Sequence, residues 1–123
     1  MDGIGYCLFL DGREYKGEFK NNKMDGYGEY YWKDGRRYFG FYKEDKKEGF
    51  GIYIWNEKKI YIGEWNSGEQ NGIGKCINSN KYKIGHWEKG KLQKWINNKN
   101  INNPSLEAIF KKYNSYEDII KYF

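Results

Sequence analysis

The residues that could carry out chemistry are few and isolated in this chain. His86 is the only histidine, and no cysteine or carboxylate cluster stands at metal-ligand spacing beside it. Cys7 and Cys76 lie 69 residues apart, and we expect both to be buried free thiols in a reducing compartment. The Gly-x-Gly pairs lack the Walker and dinucleotide fingerprints, and none of them opens a helix. The sequence therefore predicts a protein that is not an enzyme and that holds no metal and no cofactor.

Glycine and aromatic residues instead recur with a period of 23 residues, set by Tyr15, Tyr38 and Tyr61. Within each unit, tyrosine, glycine and another aromatic residue alternate with other residue types, and a Gly-x-Gly pair with two more aromatic positions follows. This alternation has the period of a β-strand, and the segments between have turn composition. A period of this length is typical of stacked repeats. We therefore predict a mainly β fold, a single-layer twisted antiparallel meander of about nine strands built from β-hairpin repeats.

The glycines inside the strands require a reason, because glycine weakens strand pairing. A bare Cα beside a bulky ring leaves a shallow slot, in which a ring from the neighbouring strand can lie flat against the backbone. We expect this stacking of aromatic rings on glycine to hold the single layer together, where most domains use a second layer.

The segment from Tyr61 through Gly74 reads Tyr-x-Gly-x-Trp-x-x-Gly-x-x-x-Gly-x-Gly. Together with its repetition, it resembles the MORN (membrane occupation and recognition nexus) repeat over roughly residues 3–93. Asn22 and Asp45 depart from the pattern, because they stand where the family has a turn glycine. The resemblance implies an elongated, trough-like sheet. It also implies a scaffold or adaptor role in the cytoplasm, often at the boundary between a membrane and the cytoskeleton.

The repeats and the composition divide the chain into a sheet, a linker and a helical cap. Asn103-Pro104 marks a helix start, and apolar residues at helical spacing after it predict one or two short helices. Because the chain begins in mid-repeat, we expect either a larger protein or an open edge at the first strand. The predicted segments are the sheet 1–96 (half repeat 3–14, repeats 15–37, 38–60 and 61–82, degenerate repeat 83–96), the linker 97–103 and the cap 104–123.

The face of the sheet opposite the glycines is apolar in the middle repeats, so it must be covered or used for binding. We expect the C-terminal helices to pack on it as the terminal cap that repeat arrays need. Docking of a helix from a partner is the alternative. This face carries Phe39, Phe41, Phe50, Ile52, Ile54, Ile62 and Ile73.

The aromatic residues on the glycine side are the candidate anchors for a protein partner, either a helix or an extended peptide, because interfaces are enriched in aromatic anchors. The same rings are expected to stack on glycine, so the two roles compete for them. The candidate rows comprise Tyr15, Phe19, Trp32, Tyr38, Tyr42, Trp55, Tyr61, Trp65 and Trp87.

Two further kinds of partner are alternatives to a protein ligand. A basic cluster near Trp87 and Trp95 could meet an anionic membrane surface, and an unpaired sheet edge could form a homodimer. Nucleic acid is not expected, because residues 83–123 hold four of the five net positive charges and no basic stripe follows the whole body. The basic cluster comprises Lys83, Lys89, Lys91, Lys94 and Lys99.

Overall fold

The structure, a computed structural model, describes residues 2–123 and forms one open antiparallel sheet in which each strand pairs with the next along the chain. The predicted mainly β meander with two short C-terminal helices is confirmed. A 3₁₀ turn at Asn98–Asn100 lies in the linker between the sheet and the helices. The elements are β1 (Gly3–Leu8), β2 (Glu14–Lys20), β3 (Lys23–Tyr31), β4 (Arg37–Lys43), β5 (Lys46–Ile54), β6 (Lys59–Asn66), β7 (Glu69–Asn78), β8 (Lys81–Glu88), β9 (Lys91–Ile96), α1 (Pro104–Lys112) and α2 (Tyr116–Ile120).

Two-residue turns close the hairpins at one end of the strands. Both residues of these turns have positive φ, as in Asn21 (52°) and Asn22 (65°), which is the geometry of a type I′ turn. Asp45 reaches φ 70° at the position that Gly68 holds in the next repeat. Asn and Asp tolerate this left-handed conformation better than other side chains. The departures from glycine at these turns therefore leave the hairpins intact.

A row of glycines crosses the sheet, each paired with the glycine of the neighbouring strand. Tyr38 lies over two of them, Gly40 on its own strand and Gly51 on the next, and is fully buried. A Cβ added to Gly40 would lie 2.5 Å from the Cα of Gly51, so the pair leaves no room for side chains. Tyr15 and Tyr61 repeat this arrangement in their own units. The row comprises Gly5, Gly17, Gly28, Gly40, Gly51, Gly63, Gly74 and Gly85.

Each of these tyrosine rings is also held at its hydroxyl end. The strand register shifts just after the glycine beneath the ring, for example between Gly40 and Tyr42. At this irregularity the Tyr38 hydroxyl donates to the main-chain oxygen of Phe41 at 3.1 Å. The equivalent bonds from Tyr15 and Tyr61 measure 2.9 and 3.0 Å. The ring therefore satisfies a carbonyl at the point where the regular ladder is interrupted.

The opposite face of the sheet, called here the helix face, is covered over its middle and later strands by the C-terminal segment, residues 97–123. Asn103 caps α1 by accepting a hydrogen bond from the amide of Leu106 at 3.0 Å. Phe123, near the chain end, stacks on Phe39 with ring centroids 4.7 Å apart. The buried core on this face combines sheet residues Phe39, Ile52, Ile54, Ile60, Ile62, Ile77 and Ile84 with Ile101, Leu106, Phe110, Tyr113 and Ile119.

We expect Gly51→Ala to lower the free energy of unfolding by about 3 kcal/mol, because the added methyl group would collide with the Tyr38 ring. Chemical denaturation measures the loss. The control is Gly68→Asn, at a turn position with no atom within 4 Å of the added Cβ. Asn22 and Asp45 hold the equivalent turn positions with φ 65° and 70°, so this change should cost less than about 1 kcal/mol. Equal losses in both variants would contradict the stacking role.

We expect stability to fall steeply above about pH 10, where tyrosines of the unfolded chain ionise. Burial raises the pKa of Tyr15 to about 12 and raises the pKa values of Tyr38 and Tyr61 still further. Above about pH 10 the folded state therefore holds more protons than the unfolded state, and each such tyrosine contributes a fall of about 1.4 kcal/mol per pH unit. Denaturant unfolding measures the free energy of unfolding at each pH between about pH 9 and pH 11, and this free energy should fall less steeply with pH in Tyr38→Phe than in the native chain. Identical slopes of free energy against pH in the two proteins would refute this prediction.

Candidate binding surface on the aromatic face

The glycine side of the sheet, called here the aromatic face, holds a second core that is made by the sheet alone. No residue of the C-terminal segment belongs to this core, whereas the core of the helix face depends on that segment. The aromatic face is therefore the side of the sheet that residues 2–123 leave without a second layer. Its buried members are Tyr15, Tyr30, Tyr38, Tyr42, Tyr53, Tyr61, Trp65 and Trp87, with Cys7, Phe9, Phe19, Met24, Trp32, Trp55 and Cys76 packed around them.

The predicted anchor rings divide into two groups. Trp65 is 7% exposed and its indole N–H donates to the main-chain oxygen of Gly51 at 3.2 Å, so its polar atom is already used. Phe19, Trp32 and Trp55 are only partly buried and present ring surface to solvent. The first group, which serves as core, comprises Tyr15, Tyr38, Tyr42, Tyr61, Trp65 and Trp87.

The partly exposed rings at one end of the strands on this face each lie beside a cation. This end of the aromatic face, called here the loop rim, bears the loops 9–13, 32–36 and 55–58. The Arg36 guanidinium lies 5.0 Å from the Trp32 ring centroid, and the Lys59 ammonium lies 4.8 Å from that of Trp55. Asp34 accepts hydrogen bonds from the main-chain amide of Arg36 at 3.1 Å and from its guanidinium at 2.9 Å, and these two bonds lower the pKa of Asp34. The Phe9–Arg13 pair repeats the arrangement at 4.6 Å.

These cation–ring pairs were not singled out from the sequence, although their signal is present there. Arg13, Arg36 and Lys59 are spaced by 23 residues, the period of the tyrosines. Each follows its aromatic partner by four positions. A cation lying over a ring face is attracted by the ring quadrupole. The rim is thus a regular series of aromatic surfaces with positive charge above them.

Lys47 fills the centre of the aromatic face. Its ammonium nitrogen lies 5.3–5.7 Å from the centroids of four rings, so the trough already holds a cation from its own chain. Burial lowers the pKa of Lys47, and the charge of Arg36 lowers it further. The surface available to a partner therefore lies at the loop rim rather than along the middle of the trough. The four rings are Trp32, Tyr38, Tyr53 and Trp65.

The apolar residues predicted on the helix face are largely occupied by the C-terminal segment. Phe39, Ile52, Ile54 and Ile62 are buried in the core shared with the helices. Phe50 and Ile73 are partly buried against the same core. Phe41 differs, since it is 45% exposed and contacts the Tyr27 ring at 5.8 Å. Six of the seven apolar residues predicted on this face are therefore buried or half-buried in the core that the C-terminal segment completes.

Lys75 joins the sheet to the helices through hydrogen bonds, a role that the sequence analysis did not predict. It lies on β7 and is 1% exposed. Its ammonium donates to the main-chain oxygens of Phe110 and Tyr113 at 2.7 and 2.8 Å and to the side-chain oxygen of Asn114 at 2.7 Å. Helix C-termini leave such oxygens unpaired and favour positive charge. Burial lowers the pKa of Lys75 to about 8, opposed by the charge of Asp118.

The five lysines of the predicted basic cluster are not brought together. Lys89 and Lys91 lie at the turn between β8 and β9, whereas Lys83 and Lys99 lie near the other end of that strand pair. The length of β9 separates the two groups by about 17 Å. Lys94 alternates onto the opposite face of the sheet from Lys83. The concentrated positive patch that an anionic surface would attract is therefore not formed by these five residues.

We expect Lys75→Met to lower the free energy of unfolding by about 2–3 kcal/mol, because two buried main-chain oxygens at the end of α1 and the side-chain oxygen of Asn114 lose their donor. Lys94→Met, at an exposed position, should change it by less than about 0.5 kcal/mol. Denaturant unfolding gives both values, and hydrogen exchange of the α1 amides should accelerate in the first variant alone. Unchanged exchange in Lys75→Met would show that this lysine does not hold the helix.

Residues 2–123 contain no group of three or more His, Cys, Asp or Glu side chains that could hold a metal ion. Over the same residues, neither the length nor the apolar character of any helix suffices for crossing a bilayer.

Comparison with known protein families accounts for the repeated unit. Residues 15–36, 38–57 and 61–81 each match the family model described as MORN repeat, and together they make up just over half of the chain. Comparison with curated protein sequences gave no match. The matches begin at or beside Tyr15, Tyr38 and Tyr61, the residues that lie over the glycine row. MORN repeats form a non-catalytic module that often takes part in protein or membrane interaction. The chain belongs to the MORN repeat family.

Proposed function

We propose that this protein is a non-catalytic scaffold or adaptor that docks a helix or an extended peptide of a protein partner on its aromatic face, at the loop rim. The observation that carries the proposal is the difference between the two faces. The C-terminal segment packs on the helix face over the middle and later strands, whereas no other part of the described chain covers the aromatic face.

The chemistry of the loop rim supports the same role. Trp32 and Trp55 have partly exposed rings, and tryptophan with arginine nearby is typical of interface anchors. The rings are rigid because each packs on a buried tyrosine, Trp32 on Tyr30 and Trp55 on Tyr53, both with centroids 4.4 Å apart. Anchors that are already ordered lose little conformational entropy when they bind. Family membership leads us to place this role in the cytoplasm, at a membrane or the cytoskeleton.

A peptide library displayed on phage and selected against the full chain tests the proposal. We expect the selected peptides to bind the Trp55→Ala variant at least tenfold more weakly than the native chain. This corresponds to the loss of about 1.4 kcal/mol or more, as expected for an anchor. Trp32→Ala should weaken binding in the same direction. Binding constants from calorimetry give the comparison.

Phe41→Ala is the matched control, because Phe41 is an exposed aromatic residue on the opposite face. It should bind the selected peptides as the native chain does. Amide shifts on peptide addition should fall in loops 32–36 and 55–58 of the native chain, which tests the site without any substitution. Peptides that bind Phe41→Ala poorly and Trp55→Ala normally would overturn the proposal.

A further inference from the structure

The aromatic face has a gap at its C-terminal end, where the repeat pattern loses its rings. Positions 76 and 78 correspond to Tyr53 and Trp55 of the preceding repeat, one period earlier. Cys76 and Asn78 stand there instead, and both are much smaller. A cavity occupies the space, lined by Cys76, Asn78, Ser79, Asn80, Lys81, Tyr82, Lys83 and Trp95.

The walls of this gap are apolar on one side and basic on the other. Trp95 is 47% exposed and touches Trp87 edge-on, with ring centroids 5.9 Å apart. The Lys83 ammonium lies 5.3 Å from the Trp95 centroid. Burial raises the pKa of Cys76 to about 11, so the floor of the gap is an uncharged thiol at neutral pH.

The side chains at the gap carry positive charge without acidic residues beside them in the chain. Positions 70–87, which supply most of the lining, contain no aspartate or glutamate. Lys81 and Lys83 are both exposed at the gap, and neither has a carboxylate within salt-bridge distance among residues 2–123. Lys59, which pairs across the sheet with Asn78, adds a third cation.

We propose that this gap binds an aromatic side chain of a protein partner that is flanked by carboxylates. The ring would take the place that Tyr53 and Trp55 hold in the preceding repeat, against Cys76 and Trp95. The flanking carboxylates would meet Lys81 and Lys83. This proposal rests on the proposed function, because it names the chemistry of the partner for the same face of the sheet.

The geometry favours a peptide over a nucleic acid, although both combine rings and negative charge. Proteins that bind single strands present several aromatic side chains in succession along a basic groove. Here Trp95 is the one aromatic ring that lines the gap on the aromatic face, since Tyr82 alternates to the other side of β8. A socket for one ring suits a single anchor residue of a peptide.

Calorimetry with the full chain and a synthetic pentapeptide, one tryptophan between two pairs of glutamates, tests the inference. We expect binding, and at least tenfold weaker binding when leucine replaces the tryptophan or lysines replace the glutamates of the peptide. The variant Asn78→Trp restores the ring found in the other repeats and should abolish binding, because it fills the gap. Cys76→Tyr should have the same effect from the neighbouring position.

Lys83→Gln should weaken binding several-fold and reduce its dependence on salt, while Lys94→Gln, on the opposite face, should leave it unchanged.

The inference fails if the pentapeptide does not bind, or if Asn78→Trp and Cys76→Tyr bind it as the native chain does with thermal unfolding unaltered. It also fails if oligothymidylate, or vesicles of anionic phospholipid, bind the gap more tightly than the pentapeptide. If peptides selected at the loop rim bind while the gap does not, the proposed function stands and this inference falls. If no peptide binds the native chain at either place, both fall.

Discussion

The contact between a tyrosine ring and the glycine row is the interaction on which the rest of this structure depends. Glycine normally weakens a strand, yet here the missing side chains let the ring of Tyr38 lie directly on two strands. Its hydroxyl then closes the interrupted ladder beyond the glycine. Because the ring serves both the packing and the hydrogen bonding, it is removed from the surface. Most aromatic residues of the repeats are therefore structural, and the partly exposed rings, such as those of Trp32 and Trp55, lie at the margin.

The two faces of the sheet are stabilised in different ways. The aromatic face packs its own side chains over glycine and is completed by Lys47, a cation from β5. The helix face is rich in isoleucine, and the C-terminal segment shields these apolar side chains from water. Lys75 joins that segment to the sheet through the end of α1. The expectation that ring stacking alone replaces a second layer therefore holds for one face, while the other has acquired a second layer over the middle and later strands.

The end of the repeat pattern coincides with a change in surface chemistry. Up to Trp55, each repeat supplies the tyrosine and tryptophan that cover the loop rim. Beyond it, Cys76 and Asn78 leave those places open, and Trp95 on the last strand is left with an exposed ring. Acidic residues also become rare in this part of the chain. A degenerate repeat thus closes the sheet and at the same time produces a surface that the regular repeats do not have.

The strands, their order and the face on which each residue lies could be predicted from local patterns, because the 23-residue period and the alternation within it are local properties of the chain. The start of α1 was predictable too, since Asn103-Pro104 is a local capping signal. Which rings are buried depends on the packing of distant segments, because a period of two assigns a ring to a face without fixing what covers it. Lys75 shows the same limit, as its partners lie 35 or more residues away. The separation of the five lysines likewise follows from where β9 runs, and spacing along the chain cannot reveal it.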